Sequence, residues 1–316
     1  MTTALKPRAT REAYGEALLE LGRLHEDVVA LDADLAGSTM SKLFAARYPE
    51  RFFNVGVAEA NMMSIAAGLA VGGKVPYAST FAVFATGRAF DQVRQGIAQP
   101  RLKARICASH GGITVGEDGC SHQSVEDVGL MRILPHMKVV VPADYNQMYA
   151  AVMESYEHPG PVYIRSGRSK VPFVYREIPA ALGGGADVLK EGTDISIIAC
   201  GIMVAKALEA ADILQKRDIS AEVVNVSILK PIDVDTVAAS LAKTGCAVTA
   251  EEHSIIGGLA DAVSEVATEY CPVRIGRLGI RDVFGKSGTP EELLEEFHLT
   301  SEHLAGLAGQ VLNRSS

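Results

Sequence analysis

What the sequence lacks bounds it first. No stretch approaches the ~18–20 uninterrupted apolar residues that a membrane span requires. The opening Met-Thr-Thr-Ala-Leu-Lys-Pro-Arg carries no apolar segment of signal-peptide type, so the expected location is cytoplasmic. Basic residues are the minority, 30 against 38 acidic, and the net charge of −8 disfavours a general nucleic-acid surface, which needs a basic face. The five cysteines (Cys107, Cys120, Cys200, Cys246 and Cys271) are odd in number, scattered and free of any C-x-x-C pair. They read as reduced thiols, not as a disulfide frame or metal site. Neither G-x-G-x-x-G nor G-x-x-x-x-G-K-[ST] occurs, and Gly111-Gly112-x-x-x-Gly116 is a poor imitation of the first.

What is present is apolar material for two cores: 316 residues, 48% hydrophobic, at a length that suits two domains of about 150 residues. Short β-branched runs alternate with helical patterns. Val28–Leu31, Arg51–Val55, Val75–Ser79, Arg105–Ser109, Lys138–Val141 and Val162–Arg165 read as strands, with helices over Arg11–Leu24, Ser41–Tyr48, Asn61–Val71 and Ala85–Ile97 between them. Such alternation predicts a mainly parallel sheet covered on both faces. Pro179 to Gly185 is turn-rich and marks a boundary, giving segments 1–182 and 186–316. The alternation then restarts, with strands at Asp194–Ala199, Ala221–Val226, Ala247–Ala250 and Val273–Arg277, and a helical tail after Pro290. The fold class is therefore α/β in two domains, the second smaller.

Three ordered motifs carry chemistry. Gly56-Val57-Ala58-Glu59-Ala60-Asn61 sets one carboxylate between a strand end and an apolar helix. Ser79-Thr80-Phe81-Ala82-Val83-Phe84 follows, and Ser109-His110-Gly111-Gly112 through Gly116-Glu117-Asp118-Gly119-Cys120-Ser121-His122-Gln123 gathers two histidines and two acids among four glycines. Alone, Glu59 would read as a carboxylate at a helix N-terminus, and each phenylalanine as core. An anionic substrate would need a local cationic cluster working against the overall negative field.

Taken together the motifs resemble the transketolase family, whose substrate loop usually reads Gly-Glu-Asp-Gly-Pro-Thr-His-Gln. The likeness extends to Arg11-Glu-Ala, to Ala33-Asp34-Leu35-Ala36-x-Ser38 and to Arg165-Ser166-Gly167-Arg168, and spans about residues 10–310. It covers the family's pyrimidine-binding and C-terminal domains and omits the pyrophosphate-binding domain that precedes them. Glu117-Asp118-Gly119 with Asn146 is too distant from the metal-binding Gly-Asp-Gly…Asn signature to replace it.

The resemblance implies a split subunit of a thiamine-diphosphate enzyme. An N-terminal subunit would hold the diphosphate and its Mg²⁺ or Ca²⁺, and the two chains would form an α2β2 heterotetramer in which this subunit self-associates. No metal site is expected on this chain. Glu59 would be the carboxylic acid beside the pyrimidine N1′, Phe84 and Phe81 would stack on the pyrimidine, and Asp34 would belong to the cofactor site. His122 and His110 would handle substrate protons, the task for which imidazole is the usual group, and Asp118 would accept from a sugar hydroxyl. Arg11, Ser38, His110 and Arg168 match phosphate-binding positions, with Arg165 competing for the role of Arg168. The implied reaction moves a two-carbon glycolaldehyde unit from a ketose phosphate to an aldose.

Two departures bear on sugar preference: Gly87 where many family members carry a third aromatic, and Cys120-Ser121 in place of Pro-Thr. A 1-deoxyxylulose-5-phosphate synthase-like protein, a 2-oxoacid decarboxylase beta-type subunit and a non-catalytic scaffold are the competing readings.

Overall fold

A computed structural model describes residues 5–313. The outermost residues of the two expected segments, 1–4 and 314–316, lie outside the described residues. Seven strands form the first sheet in the order Ile228–Lys230, Lys138–Val140, Val162–Arg165, Arg105–Ser109, Val75–Phe81, Val28–Asp32, Phe52–Asn54. All neighbours are parallel except the first pair. Four of these strands are buried along their whole length. Continuous burial is the mark of a sheet covered twice. One face packs Met62, Met63, Ala66, Ile97, Ile106 and Tyr163, and the other packs Tyr14, Leu18, Leu21, Phe44, Met148 and Val152.

The second sheet has five strands in the order Arg274–Ile280, Cys246–Ser254, Ile195–Ala199, Ala221–Val226, Ala186–Lys190, with only the last antiparallel to its neighbour. The sheets do not divide the chain at one cut. Ile228–Lys230 leaves the second segment and returns as an antiparallel edge of the first sheet, beside Lys138–Val140. The tail contains helices Pro290–Glu296 and Ser301–Asn313, the former begun by a capping box between Thr289 and Glu292.

Local differences from the sequence pattern are few and physical. The expected helix over Ala85–Ile97 is two π-helical stretches, Phe84–Arg88 and Gln92–Ala98. Helices Asp127–Arg132, Tyr145–Ser155 and Val234–Thr244 add to those the pattern revealed. For function the register matters most. Asp32 pairs with Ser79, Phe81 with Ser109, and Ala108 with Arg165, so the carboxyl ends of the parallel strands finish along one edge. Ligands of open α/β sheets bind at that edge.

Candidate active site

Most of the sequence-predicted residues sit just past those strand ends, while Phe81 ends its strand and Asp118 and His122 lie farther along the loop after Arg105–Ser109. Asp34 and Ser38 follow strand Val28–Asp32, Glu59 follows Phe52–Asn54, and Phe84 follows Val75–Phe81. His110 follows Arg105–Ser109, and Arg168 follows Val162–Arg165. Arg11 is drawn in by the backbone: its N–H donates to the Gly167 carbonyl at 3.4 Å, and the Gly167 N–H donates to Thr10 Oγ1 at 2.7 Å.

The turn after Asp32 shows how such a position is built. The buried Asp32 carboxylate accepts from the Leu35 N–H at 2.5 Å, Thr39 Oγ1 at 2.7 Å and Ser41 Oγ at 2.9 Å. These bonds curl the chain so that the Ser38 carbonyl accepts from Arg11 Nη1 at 3.0 Å. Asp34, in the left-handed region at φ +66°, is exposed, and its Oδ1 accepts from Asn54 Nδ2 at 3.0 Å.

Glu59 begins the helix Glu59–Val71 and is only 4% exposed. Arg88 Nη1 donates to its Oε1 at 3.1 Å, and the same guanidinium lies 4.0 Å from the centroid of Phe84. The two phenylalanines differ in their neighbours. Phe81 stacks on His110, with centroids 3.8 Å apart and planes 20° apart, whereas Phe84 meets His122 edge-on at 5.4 Å. Phe81 therefore has a face committed to His110 where a cofactor-stacking role was expected of it.

His110 combines burial with a left-handed backbone, φ +60°, which is uncommon for a side chain of its size and concentrates at functional sites. Its Nδ1 is 2.8 Å from Ser109 Oγ. Burial, then the charges of Arg11, Arg168 and His122, push its pKa down to about 3, so the ring is neutral at physiological pH. His122 is half-buried, with Nδ1 2.9 Å from Ser121 Oγ.

Of the cations expected in an anion site, Arg11 and Arg168 lie within electrostatic reach of each other. Burial and the nearby Arg168 hold the Arg11 pKa below its ordinary value. Arg11 Nε is buried without a hydrogen-bond partner. Arg168 Nη1 donates to the Val115 carbonyl at 2.8 Å and to Asp118 Oδ2 at 3.3 Å, and lies 3.9 Å from Glu117 Oε2. Two guanidiniums that repel each other, one with an unpartnered N–H, form a site suited to an anion.

Arg165 is a different kind of residue. Its Nε and Nη2 hold both oxygens of buried Asp127 at 2.8 and 3.0 Å, Nη1 donates to the Glu252 carbonyl at 3.0 Å, and Nη2 donates also to the Ser124 carbonyl at 3.1 Å. Every guanidinium nitrogen is engaged inside the protein and the side chain is 7% exposed, whereas Arg168, the other arginine weighed for phosphate, is 38% exposed.

Sequence reasoning missed the supports of the glycine-rich loop. Glu252 Oε1 accepts from the Thr114 N–H at 2.7 Å, and Gln123 Nε2 donates to the Lys286 carbonyl at 2.9 Å. Both partners come from the second segment, at separations of 138 and 163 residues, which no local pattern reveals. Arg88 was missed too, although an arginine four residues after an aromatic is a readable helical pair.

Residues 6–174 match the family model for the transketolase pyrimidine binding domain, and residues 184–304 match that for the transketolase C-terminal domain. A 6-deoxy-6-sulfo-D-fructose transketolase subunit from Clostridium sp. (strain MSTE9) is 43% identical over 97% of this chain and 95% of its own length. A 1-deoxy-D-xylulose-5-phosphate synthase from Desulforudis audaxviator (strain MP104C) is 36% identical over 94% of this chain, which corresponds to 47% of that protein. Among solved structures, a split gene transketolase in the form of an inactive beta4 tetramer superimposes with a TM-score of 0.90 at 51% identity, covering 96% of this chain and 98% of that one. Motif, fold and relatives coincide along nearly the whole chain, which belongs to the transketolase family.

Proposed function

We propose that this chain is the C-terminal subunit of a split, thiamine-diphosphate-dependent transketolase that moves a two-carbon glycolaldehyde unit from a ketose phosphate to an aldose. The observation that carries the reading is convergence on one sheet edge. A buried carboxylate and an aromatic face, Glu59 and Phe84, share the Arg88 guanidinium; His122 meets Phe84 edge-on, and His110 lies within electrostatic reach of His122, Arg11 and Arg168.

The residues fit the implied cofactor's pyrimidine: a flat, N–H-bearing cation, the Arg88 guanidinium, already lies over Phe84 and donates to Glu59. When bound, thiamine diphosphate supplies the carbon nucleophile that opens the ketose C2–C3 bond. This chain's residues do the rest of its half of the work. Glu59 holds a proton at the pyrimidine N1′, Phe84 carries the ring, and Asp34 borders the cofactor. Neutral His110 hydrogen-bonds to a substrate oxygen, and half-buried His122 exchanges protons with another. Asp118 accepts from a sugar hydroxyl, and Arg11, Arg168 and Ser38 hold the substrate phosphate.

The diphosphate and its Mg²⁺ or Ca²⁺ belong to a partner subunit carrying the pyrophosphate-binding domain, in an α2β2 assembly. The inactive, beta-only tetramer of the 51%-identical split transketolase supports that division. So does the helix Glu59–Val71, whose Asn61, Ser64, Gly68 and Val71 are exposed beside exposed Val57, a partly apolar surface next to the catalytic acid.

The test is to assay the purified chain with thiamine diphosphate, Mg²⁺, a ketose phosphate and an aldose, first alone and then with a chain carrying the pyrophosphate-binding domain. Aldose-dependent ketose consumption is expected only in the second case. Turnover without the partner would defeat the split-subunit reading. Consumption of a 2-oxoacid in place of the ketose would move the chain to the synthase or decarboxylase class.

A further inference from the structure

Arg88 closes the π-helical stretch Phe84–Arg88, a geometry that recurs at functional sites. Its guanidinium lies over Phe84 at 4.0 Å and donates to Glu59 Oε1 at 3.1 Å, while 55% of its side chain remains in solvent. Glu59 is its hydrogen-bond partner among the described residues. A single side chain thus makes both contacts assigned above to the pyrimidine ring, stacking on Phe84 and donation to the buried acid. Glu59 Oε1 and the face of Phe84 that carries Arg88 cannot serve guanidinium and pyrimidine at once.

We propose that Arg88 is a positioning residue that holds Glu59 and Phe84 in the cofactor-free chain and must swing out before the pyrimidine enters, so that it sets cofactor affinity. The inference rests on the placement of the pyrimidine between Glu59 and Phe84. The geometry allows the swing. The Arg88 side chain is already more than half in solvent, and open space adjoins the preceding Gly87, where a Cβ would meet nothing within 4 Å. The two contacts to be broken are a half-exposed ion pair and a cation–π contact, both of modest strength. An arginine needed only to keep a buried carboxylate in place would behave in the opposite way, because its loss would disorder Glu59 and weaken binding.

The experiment is isothermal titration of thiamine diphosphate, with Mg²⁺, into the complex of this chain with its pyrophosphate-domain partner, for wild type, Arg88→Met, Arg88→Lys and Glu59→Ala. Arg88→Met should tighten Kd by about 3- to 30-fold, the range given by one exposed ion pair and one cation–π contact. Arg88→Lys, which keeps the charge without the planar face, should fall between Arg88→Met and wild type. Glu59→Ala should weaken binding. Unchanged or weaker binding in Arg88→Met, with Glu59→Ala still weakened, overturns the role of Arg88 and leaves the pyrimidine placement standing. Affinity untouched by Glu59→Ala overturns both.

Discussion

Replacing Arg11 by alanine tests the phosphate cluster through a comparison that a folding defect cannot imitate. The Arg11 side chain makes one hydrogen bond within the described residues, from Nη1 to the Ser38 carbonyl, and its Nε is unpartnered. A phosphate would accept from the free side of the guanidinium. One charge-assisted hydrogen bond is worth about 1.5–3 kcal/mol. Arg11 is half-buried, so solvent screening places the effect toward the lower end, a KM increase of roughly 10- to 30-fold for the phosphorylated ketose. The kcat should change much less, because uniform binding of a remote phosphate does not alter the barrier from the bound state. Stability should hold, since the lost bond to Ser38 is offset by relief of repulsion with Arg168. The assay is steady-state kinetics of the assembled complex with two donors of the same carbon skeleton, one phosphorylated and one not. The unphosphorylated donor should lose no more than about twofold, well below the effect of a charge-assisted contact. Equal losses for both donors would make Arg11 structural and withdraw the phosphate site.

Two further predictions follow from the same geometry. Glu59→Gln keeps the side chain's shape and a donor–acceptor pair but holds no titratable proton, so kcat of the assembled complex should fall by at least ~10²-fold with the melting temperature unchanged; activity within a few-fold of wild type would reduce Glu59 to a helix-terminal carboxylate. His110→Gln should flatten the pH dependence of stability. With the folded pKa pushed to about 3 and an unfolded value near ~6.5, the unfolded chain binds an extra proton between those limits. Stability is therefore lost as pH falls below ~6.5, at up to ~1.4 kcal/mol per pH unit for one proton. Chemical denaturation at pH 4.5 and 7 reads the difference, and an unaltered pH slope in the variant would show that His110 is not excluded from protonation.

Much of the fold was legible because burial on both faces leaves a simple trace: short β-branched runs such as Val28–Asp32 and Val162–Arg165 between helical patterns. Several candidate residues, among them Asp34, Phe84, His110 and Arg168, stand within three residues of a strand's carboxyl end, where the parallel topology brings them to one edge. Other features left no local trace. Helix Tyr145–Ser155 starts from Asp144, whose side chain accepts from the Gln147 N–H at 2.8 Å, but the sequence pattern assigned no helix to this segment. The edge strand Ile228–Lys230 is three residues long and pairs across almost ninety positions of sequence, too short for periodicity to register. The choice between Arg165 and Arg168 rests on Asp127, Ser124 and Glu252, which surround only the former. The different neighbours of Phe81 and Phe84, His110 for the first and Arg88 for the second, are ring contacts that spacing alone cannot assign.

The second domain takes part in the site through the backbone of the glycine-rich loop. Gly112 has φ +85°, and a Cβ there would overlap the Glu252 carboxylate; one on Gly111 would overlap the Arg165 guanidinium. Those glycines let the loop press against a buried charge network, and Glu252 answers by accepting the Thr114 N–H. Farther along, Gly119 at φ +75° has Ser287 against it, while Gln123 holds the Ile113, Gly116 and Lys286 carbonyls at once. These positive-φ turns fall on glycines, which adopt them without strain, and packing from both segments holds them in place. His110, itself left-handed, is at the start of this loop, and Asp118 and His122 are near its end. The loop that carries the three is thus held by contacts made beneath it, among them contacts to Glu252, Lys286 and Ser287 from more than a hundred positions away. A C-terminal domain that carries none of the proposed catalytic side chains still sets the geometry in which those side chains act.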